Sequence, residues 1–320
     1  MAFAFVFPGQ GSQSLGMLAS LAGEPALRET FTEASGVLGF DLWELTQKGP
    51  EERLNATENT QPAMLAAGVA LWRIWRSRGG AEPSVVGGHS LGEFTALVCA
   101  GALDFPAAVG LVHFRGRAMQ QAVPPGSGAM AAIIGLEEAE VREVCEACAD
   151  GAVVEPVNFN APGQIVIAGE RAAVERAMEA ARKAGAKRAV ALKLSVPAHS
   201  RLMQPAALRL GERLAGIALR APRIPFVSAV DAAEHGEVAD LRALLVRQLA
   251  APVRWQETVC ALSARGVRAL IECGPGKVLT GLNRRIERRP GLECLALEDA
   301  ASIEAALAAV RHPESAHAGE

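Results

Sequence analysis

The 320-residue sequence contains no tyrosine, and aromatic residues make up only 4% of it. Side chains that stack on bases are scarce, and a net charge of -3 with a pI near 6.1 leaves no surplus of cations for a phosphate backbone. Nucleic acid is therefore excluded as the expected partner. Uncharged apolar runs of the roughly 20 residues that a membrane helix needs are also missing. The opening MAFAFVFPGQG lacks the basic end of a signal peptide. A cytoplasmic protein without membrane contact is expected. Six cysteines are spread through the chain, mostly among Ala, Val, Leu and Ile, and read as buried free thiols. Cys145 and Cys148 form a C-x-x-C, but no second Cys or His pair stands at zinc-ligand spacing, so no metal is expected.

What is present is apolar. Half of the residues are hydrophobic and mean hydropathy is +0.18, enough for a substantial core. The mass of 33.4 kDa is about twice that of a usual single-core domain, which suggests a large domain carrying a smaller one. FAFVF at 3–7, stopped by Pro8-Gly9, predicts a buried strand. Residues 61–78 have helical spacing, with Thr60 as N-cap and Pro62 in the first turn. A strand at 84–86 runs through glycines into a helix from about Leu91.

Between 129 and 194 the signals read strand, helix, strand, strand, helix, strand, which is the ferredoxin-like βαββαβ order. Its strands are 129–134, 152–159, 164–168 and 188–196, and its helices 137–149 and 171–185. Beyond 200 the pattern is a helix at 201–217, a strand at 224–230, helices at 238–250 and 255–265, and a strand at 267–274. The fold class expected is α/β: a parallel-sheet domain of α/β-hydrolase type (1–125 and 198–310) interrupted by the ferredoxin-like subdomain (126–197), with a flexible tail at 311–320.

Gly88-His89-Ser90-Leu91-Gly92 is a G-x-S-x-G between a strand and a helix, the context in which that pattern places a nucleophilic serine on a strained turn. A serine needs a base, and six histidines are available. His312 and His317 fall in the tail, His235 in a polar turn, and His113 on a helix where it can pack. His89 should point away from Ser90. His199, just after a strand end and Pro197, leads this group. For a third, acidic member Asp104 and Asp150 lie between Ser90 and His199, but neither adjoins a recognisable catalytic turn. A main-chain carbonyl orienting the imidazole is the other option. Arg115 follows His113 and Phe114 on a mostly apolar helix, where a guanidinium needs an anion or a route to water.

Several motifs occur in one order: Phe7 to Gln13, Thr60 to Ala63, Gly88 to Glu93, Arg115 to Arg117, Gly128 to Met130, Asn158 to Asn160, Val196 to His199 and Gly274 to Gly276. From residue 3 to about 297 they resemble the malonyl-CoA:acyl carrier protein transacylases of fatty-acid and polyketide synthesis. The resemblance implies a Ser90–His199 dyad, with His199 held by the main-chain carbonyl of Gln248. It implies an oxyanion hole from the amides of Gln10 and Leu91, and Arg115 binding the substrate's free carboxylate. Gln61, Asn158 and Asn160 would face the substrate cleft, the two asparagines from a turn between strands. No tightly bound cofactor is implied; malonyl-CoA is the substrate and acyl carrier protein the partner. Arg284, Arg285, Arg288 and Arg289, near Lys277, form a basic cluster suited either to an acidic carrier or to plain solvation.

Other readings stay open. An acyl-carrier hydrolase of the same fold should lack the carboxylate-binding arginine, and a noncatalytic carrier-docking module need not retain Ser90, His199 and Arg115 together. Methylmalonyl-CoA would suit Arg115 as well, although Val196-Pro197-Ala198-His199 resembles the malonyl-using enzymes. A monomer is expected.

Overall fold

FAFVF is buried at every position, as a strand covered on both faces requires. In the computed structural model, which describes residues 1–193 and 196–311, it is the central strand of a parallel sheet. The first segment contains β1 (Phe3–Phe7), α1 (Pro25–Leu38), α2 (Leu42–Lys48), α3 (Glu51–Asn55), α4 (Thr57–Ser77), β2 (Val85–Gly88), α5 (Gly92–Cys99) and α6 (Phe105–Gln121). Next come β3 (Gly128–Ile134), α7 (Glu138–Ala149), β4 (Val154–Ala161), β5 (Gln164–Glu170), α8 (Arg171–Lys183) and β6 (Arg188–Ala191). The chain continues through α9 (Gln204–Ala215), β7 (Phe226–Val227), α10 (Val238–Arg247), α11 (Trp255–Ser263), β8 (Ala269–Glu272), α12 (Val278–Ile286), β9 (Glu293–Ala296) and α13 (Ala300–Arg311).

Two sheets result. The parallel sheet has the order β7-β2-β1-β8-β9, and the antiparallel sheet has the order β4-β5-β3-β6 with α7 and α8 packed on it. The mixed α/β class expected from the sequence is present. Phe5 packs its ring 5.2 Å from Trp75 and 5.7 Å from Trp72, which fixes α4 on β1. β4 also joins the 252–254 segment, where Phe159 N–H donates to Val253 O and Val253 N–H to Val157 O. This seam brings the small sheet up to the residues beside His199. Among the described residues no helix is long and apolar enough to cross a membrane.

Several expectations change in detail. α4 starts at Thr57 rather than after Thr60, so Pro62 lies inside the helix. Proline cannot donate to Glu58 O, four residues back. His113 Nδ1 donates to that carbonyl instead, at 3.0 Å, which is why the helix survives. The strand expected at 224–230 is ordered as Phe226–Val227 alone, because Ser228 and Ala229 turn to hydrogen-bond Glu93. Asn158 and Asn160 lie within β4 rather than in a turn. Cys260 is exposed and Cys148 half-buried, unlike the other four free thiols. Of the basic cluster, Arg284, Arg285 and Arg289 donate to main-chain carbonyls of Cys294, Pro162 and Val267, and Lys277 pairs with Glu298. The end of the strand expected at 188–196 and the tail, apart from Arg311 in α13, lie partly or wholly outside the described residues.

Candidate active site

β2 ends at Gly88 and α5 begins at Gly92, which leaves three residues to reverse direction. A Cβ on Gly92 would sit 1.9 Å from Phe7 O, and one on Gly88 would sit 2.0 Å from the Gly92 carbonyl carbon. Only glycine permits that closeness. Ser90, at the apex, has φ of 53°, a left-handed conformation that costs about 1–2 kcal/mol and projects its hydroxyl from the turn.

His199 meets it from a distant part of the chain. Its Nε2 is 2.8 Å from Ser90 Oγ and its Nδ1 is 2.8 Å from Gln248 O. A carbonyl only accepts, so Nδ1 carries the hydrogen and Nε2 is free to accept the serine proton. His199 is itself left-handed, with φ of 67°, and its amide donates to Leu249 O at 3.0 Å. The imidazole is 4% exposed, and burial together with the Arg115 charge lowers its pKa to about 3. It is therefore neutral at physiological pH, as a base must be. The ring lines a cleft of about 410 Å³ together with Arg201, Pro156, Ala250 and Pro252. A larger groove of 990 Å³ between α9 and α10 lies apart from Ser90 and His199.

Arg115 is 1% exposed, and among the described residues no carboxylate pairs with it. Its Nη2 donates to Gln248 Oε1 at 2.9 Å and to Ser90 Oγ at 3.3 Å, while the guanidinium lies 5.5 Å over the Phe94 ring. Its Nε has no partner. Burial lowers the pKa to about 10, still high enough to keep the charge. A buried cation beside a serine hydroxyl, with a donor to spare, has the chemistry to receive an anion. α6 reaches this depth because Gly116 lets it touch α4: a Cβ there would be 2.5 Å from Glu58 Cα.

The amides of Gln10 and Leu91 donate to no protein acceptor among the described residues, so both remain available to an oxyanion. The Gln10 side chain donates to Thr57 Oγ1 at 3.3 Å. Gln61, on α4, is fully buried, with its Nε2 3.3 Å from the Sδ of Met119, one helical turn after Arg115 on α6, and its Oε1 unpartnered. Asn160 points to the back of the elbow, where its Oδ1 is 2.8 Å from His89 Nε2. His89 lies against Trp255, ring centroids 5.6 Å apart, and so points away from Ser90 as expected. Asn158 keeps a buried, unpartnered Oδ1.

Two groups escaped the sequence reading. One is the Gln248 side chain, of which only the main-chain carbonyl was anticipated. The other is Glu93, directly after the G-x-S-x-G, buried and bonded to Ser228, Ala229 and Gln248. A carboxylate directly before the apolar run FTALVC was the available signal.

Comparison with known proteins identifies the family. Residues 4–301 match the family model described as acyl transferase domain. The malonyl CoA-acyl carrier protein transacylase of Salmonella typhimurium is 56% identical over 306 residues, covering 95% of this chain and 98% of that protein. Its Bacillus subtilis counterpart is 44% identical, covering 95% and 96%. Among solved structures, one of a type II PKS acyl-carrier protein in complex with its malonyl-transacylase superposes with a TM-score of 0.94 at 55% identity, covering 96% of this chain and 99% of that one. The transacylase of Coxiella burnetii also gives 0.94, at 50% identity and with coverages of 96% and 97%. The chain thus belongs to the acyl transferase domain family, in its branch of malonyl CoA-acyl carrier protein transacylases.

Proposed function

We propose that the protein transfers malonyl from malonyl-CoA to the phosphopantetheine thiol of an acyl carrier protein, in fatty-acid or polyketide synthesis. The observation that carries this reading is the dyad at 2.8 Å with a guanidinium that has no carboxylate in direct contact among the described residues, 3.3 Å from the serine oxygen. A plain esterase has no use for that cation. In the proposed reaction Ser90 Oγ attacks the thioester carbonyl carbon as His199 Nε2 takes its proton. The oxyanion lies between the amides of Gln10 and Leu91, and Arg115 holds the malonyl carboxylate. As the carbon–sulfur bond breaks, His199 returns the proton to the CoA thiolate, leaving a malonyl-Ser90 ester. The carrier thiol then gives its proton to His199 and attacks the ester carbon; as the bond to Ser90 Oγ breaks, His199 returns the proton to that oxygen and the malonyl thioester departs.

Gln248 contributes at two points in this scheme, its carbonyl fixing the His199 tautomer and its amide fixing Arg115. Gln61, Asn158 and Asn160 are proposed to shape the cleft rather than to react, with Asn160 acting through His89. Residues 126–197 are proposed as a unit inserted between 1–125 and 198–310. Intact-mass measurement tests the scheme: malonyl-CoA should add one malonyl to Ser90, and holo carrier protein should remove it as malonyl-carrier. Release of free malonate alone, or no adduct, would overturn the transferase reading.

A further inference from the structure

The Ser90–His199–Arg115 geometry depends on a chain of polar groups that carries only one assignment of hydrogens. Arg115 can only donate, so the Gln248 atom 2.9 Å from its Nη2 must be the amide oxygen. The Gln248 nitrogen then faces away, donating to Ser90 O at 2.9 Å and to the Glu93 carboxylate. Ser228 Oγ accepts from Val230 N–H, which leaves its own hydrogen for Glu93 Oε1 at 2.8 Å, and Ala229 N–H donates to the same oxygen at 2.6 Å. Glu93 thus meets donors at both oxygens. Every member is buried: Glu93, Gln248 and Arg115 are each 1% exposed and Ser228 is 0%. Water cannot repair a mismatch there.

We propose that Glu93 is a positioning residue: because its carboxylate only accepts, it fixes the Gln248 amide with oxygen toward Arg115, and so aims the guanidinium that receives the substrate's free carboxylate. This inference rests on the malonyl-transfer reading above. Burial raises the Glu93 pKa to about 7 even against the pull of its three donors, so the ionised form that the network needs is the major one above that pH.

Glu93→Gln keeps the volume and adds hydrogens on one side. Turned toward Ala229, the new NH2 would oppose a main-chain N–H that cannot move. Turned toward Gln248, it opposes a side chain that can rotate. The mismatch therefore falls on Gln248, whose amide either stays with its NH2 against another NH2 or turns and sets that NH2 against the guanidinium; in both cases its oxygen is no longer held on Arg115. In a folded E93Q protein the kcat/KM ratio of malonyl-CoA to acetyl-CoA should fall by about tenfold or more. In a Gln248→Leu background, adding E93Q should change that ratio by less than about twofold, since Glu93 then has no amide to orient. An unchanged ratio in E93Q, or equal losses in both backgrounds, overturns the proposal. Absence of malonyl loading in the unsubstituted protein would instead overturn the transferase reading.

Should E93Q fail to fold, neutron diffraction of the unsubstituted protein at about pH 8 decides the matter. Both deuterons on Gln248 Nε2, directed at Ser90 O and Glu93, are expected. A deuteron on Glu93 with the Gln248 nitrogen against Arg115 would overturn the assignment.

Discussion

Replacing Arg115 with alanine separates recognition of the acid from the acyl chemistry. The guanidinium has a free Nε and no carboxylate partner among the described residues, so a malonyl carboxylate meets an unsatisfied cation rather than displacing an ion pair. Two hydrogen bonds to a charged group contribute about 1.5–3 kcal/mol each. The carboxylate loses water on entering, so the lower end applies, a net of ~3 kcal/mol or about a hundredfold in relative kcat/KM. An acetyl donor forms neither bond and loses nothing by the substitution. Competition between malonyl-CoA and acetyl-CoA, read as the two acyl-Ser90 masses, should therefore show malonyl preference falling about a hundredfold. The melting temperature should move little by comparison, since the substitution also removes a desolvated charge. A preference that changes by less than about threefold would refute the carboxylate role, however inactive the variant.

Three further outcomes follow from the same coordinates. Ser90→Ala should form no acyl adduct with malonyl-CoA while keeping its circular dichroism spectrum; an adduct of unchanged stoichiometry would move the nucleophile elsewhere. Gly92→Ala should destabilise by ~3 kcal/mol or more in urea unfolding, because the new methyl lies 1.9 Å from Phe7 O on the central strand and neither backbone can retreat. Glu272, buried against the first amides of α12, has its pKa raised from 4.5 to about 7 by burial. A raised carboxyl pKa stabilises below its unfolded value and loses that contribution as pH climbs through the folded value. Relative to Glu272→Gln, the unsubstituted protein should thus lose about 3 kcal/mol of stability between pH 4.5 and pH 7; a flat difference would refute the shift.

Local patterns were legible in the sequence and distant pairings were not. The apolar FAFVF, the glycines around Ser90 and the apolar run at 129–134 each reflect neighbours within a few residues. The βαββαβ unit was readable because its short apolar runs are separated by two stretches of helical spacing, and each helix stops near a glycine. Residues 12–60 gave no such pattern; there α1 and α3 are held by contacts with α4, and α2 by contacts with α1 and α3. Pro62 misled because the carbonyl it orphans is rescued by His113, 55 residues away. Ser90 and Arg115 stood out because a strained serine and a buried cation are conspicuous residue types. His199 led the six histidines only by its place after a strand end and Pro197, until the family resemblance singled it out. Glu93 and the Gln248 amide are 155 positions apart, and nothing local announces their bond.

Arg115 also reaches the base. His199 is pushed down to about 3 by burial first and by the Arg115 charge second. So weak a base accepts the serine proton poorly, because proton transfer is most efficient when the pKa lies near the working pH. A carboxylate seated on Arg115 cancels much of the cation's field at the imidazole while the burial cause stays, so the base strengthens when an acid substrate is bound. An acetyl donor brings no such charge, and discrimination should therefore show in the acylation rate at saturating donor as well as in affinity. The sign can be checked without malonyl. Removing the cation in Arg115→Ala raises the His199 pKa, so the acid limb of single-turnover acetyl loading should move to higher pH than in the unsubstituted protein. A limb that stays in place would mean that burial alone sets the base, and that Arg115 recognises the acid without tuning the chemistry.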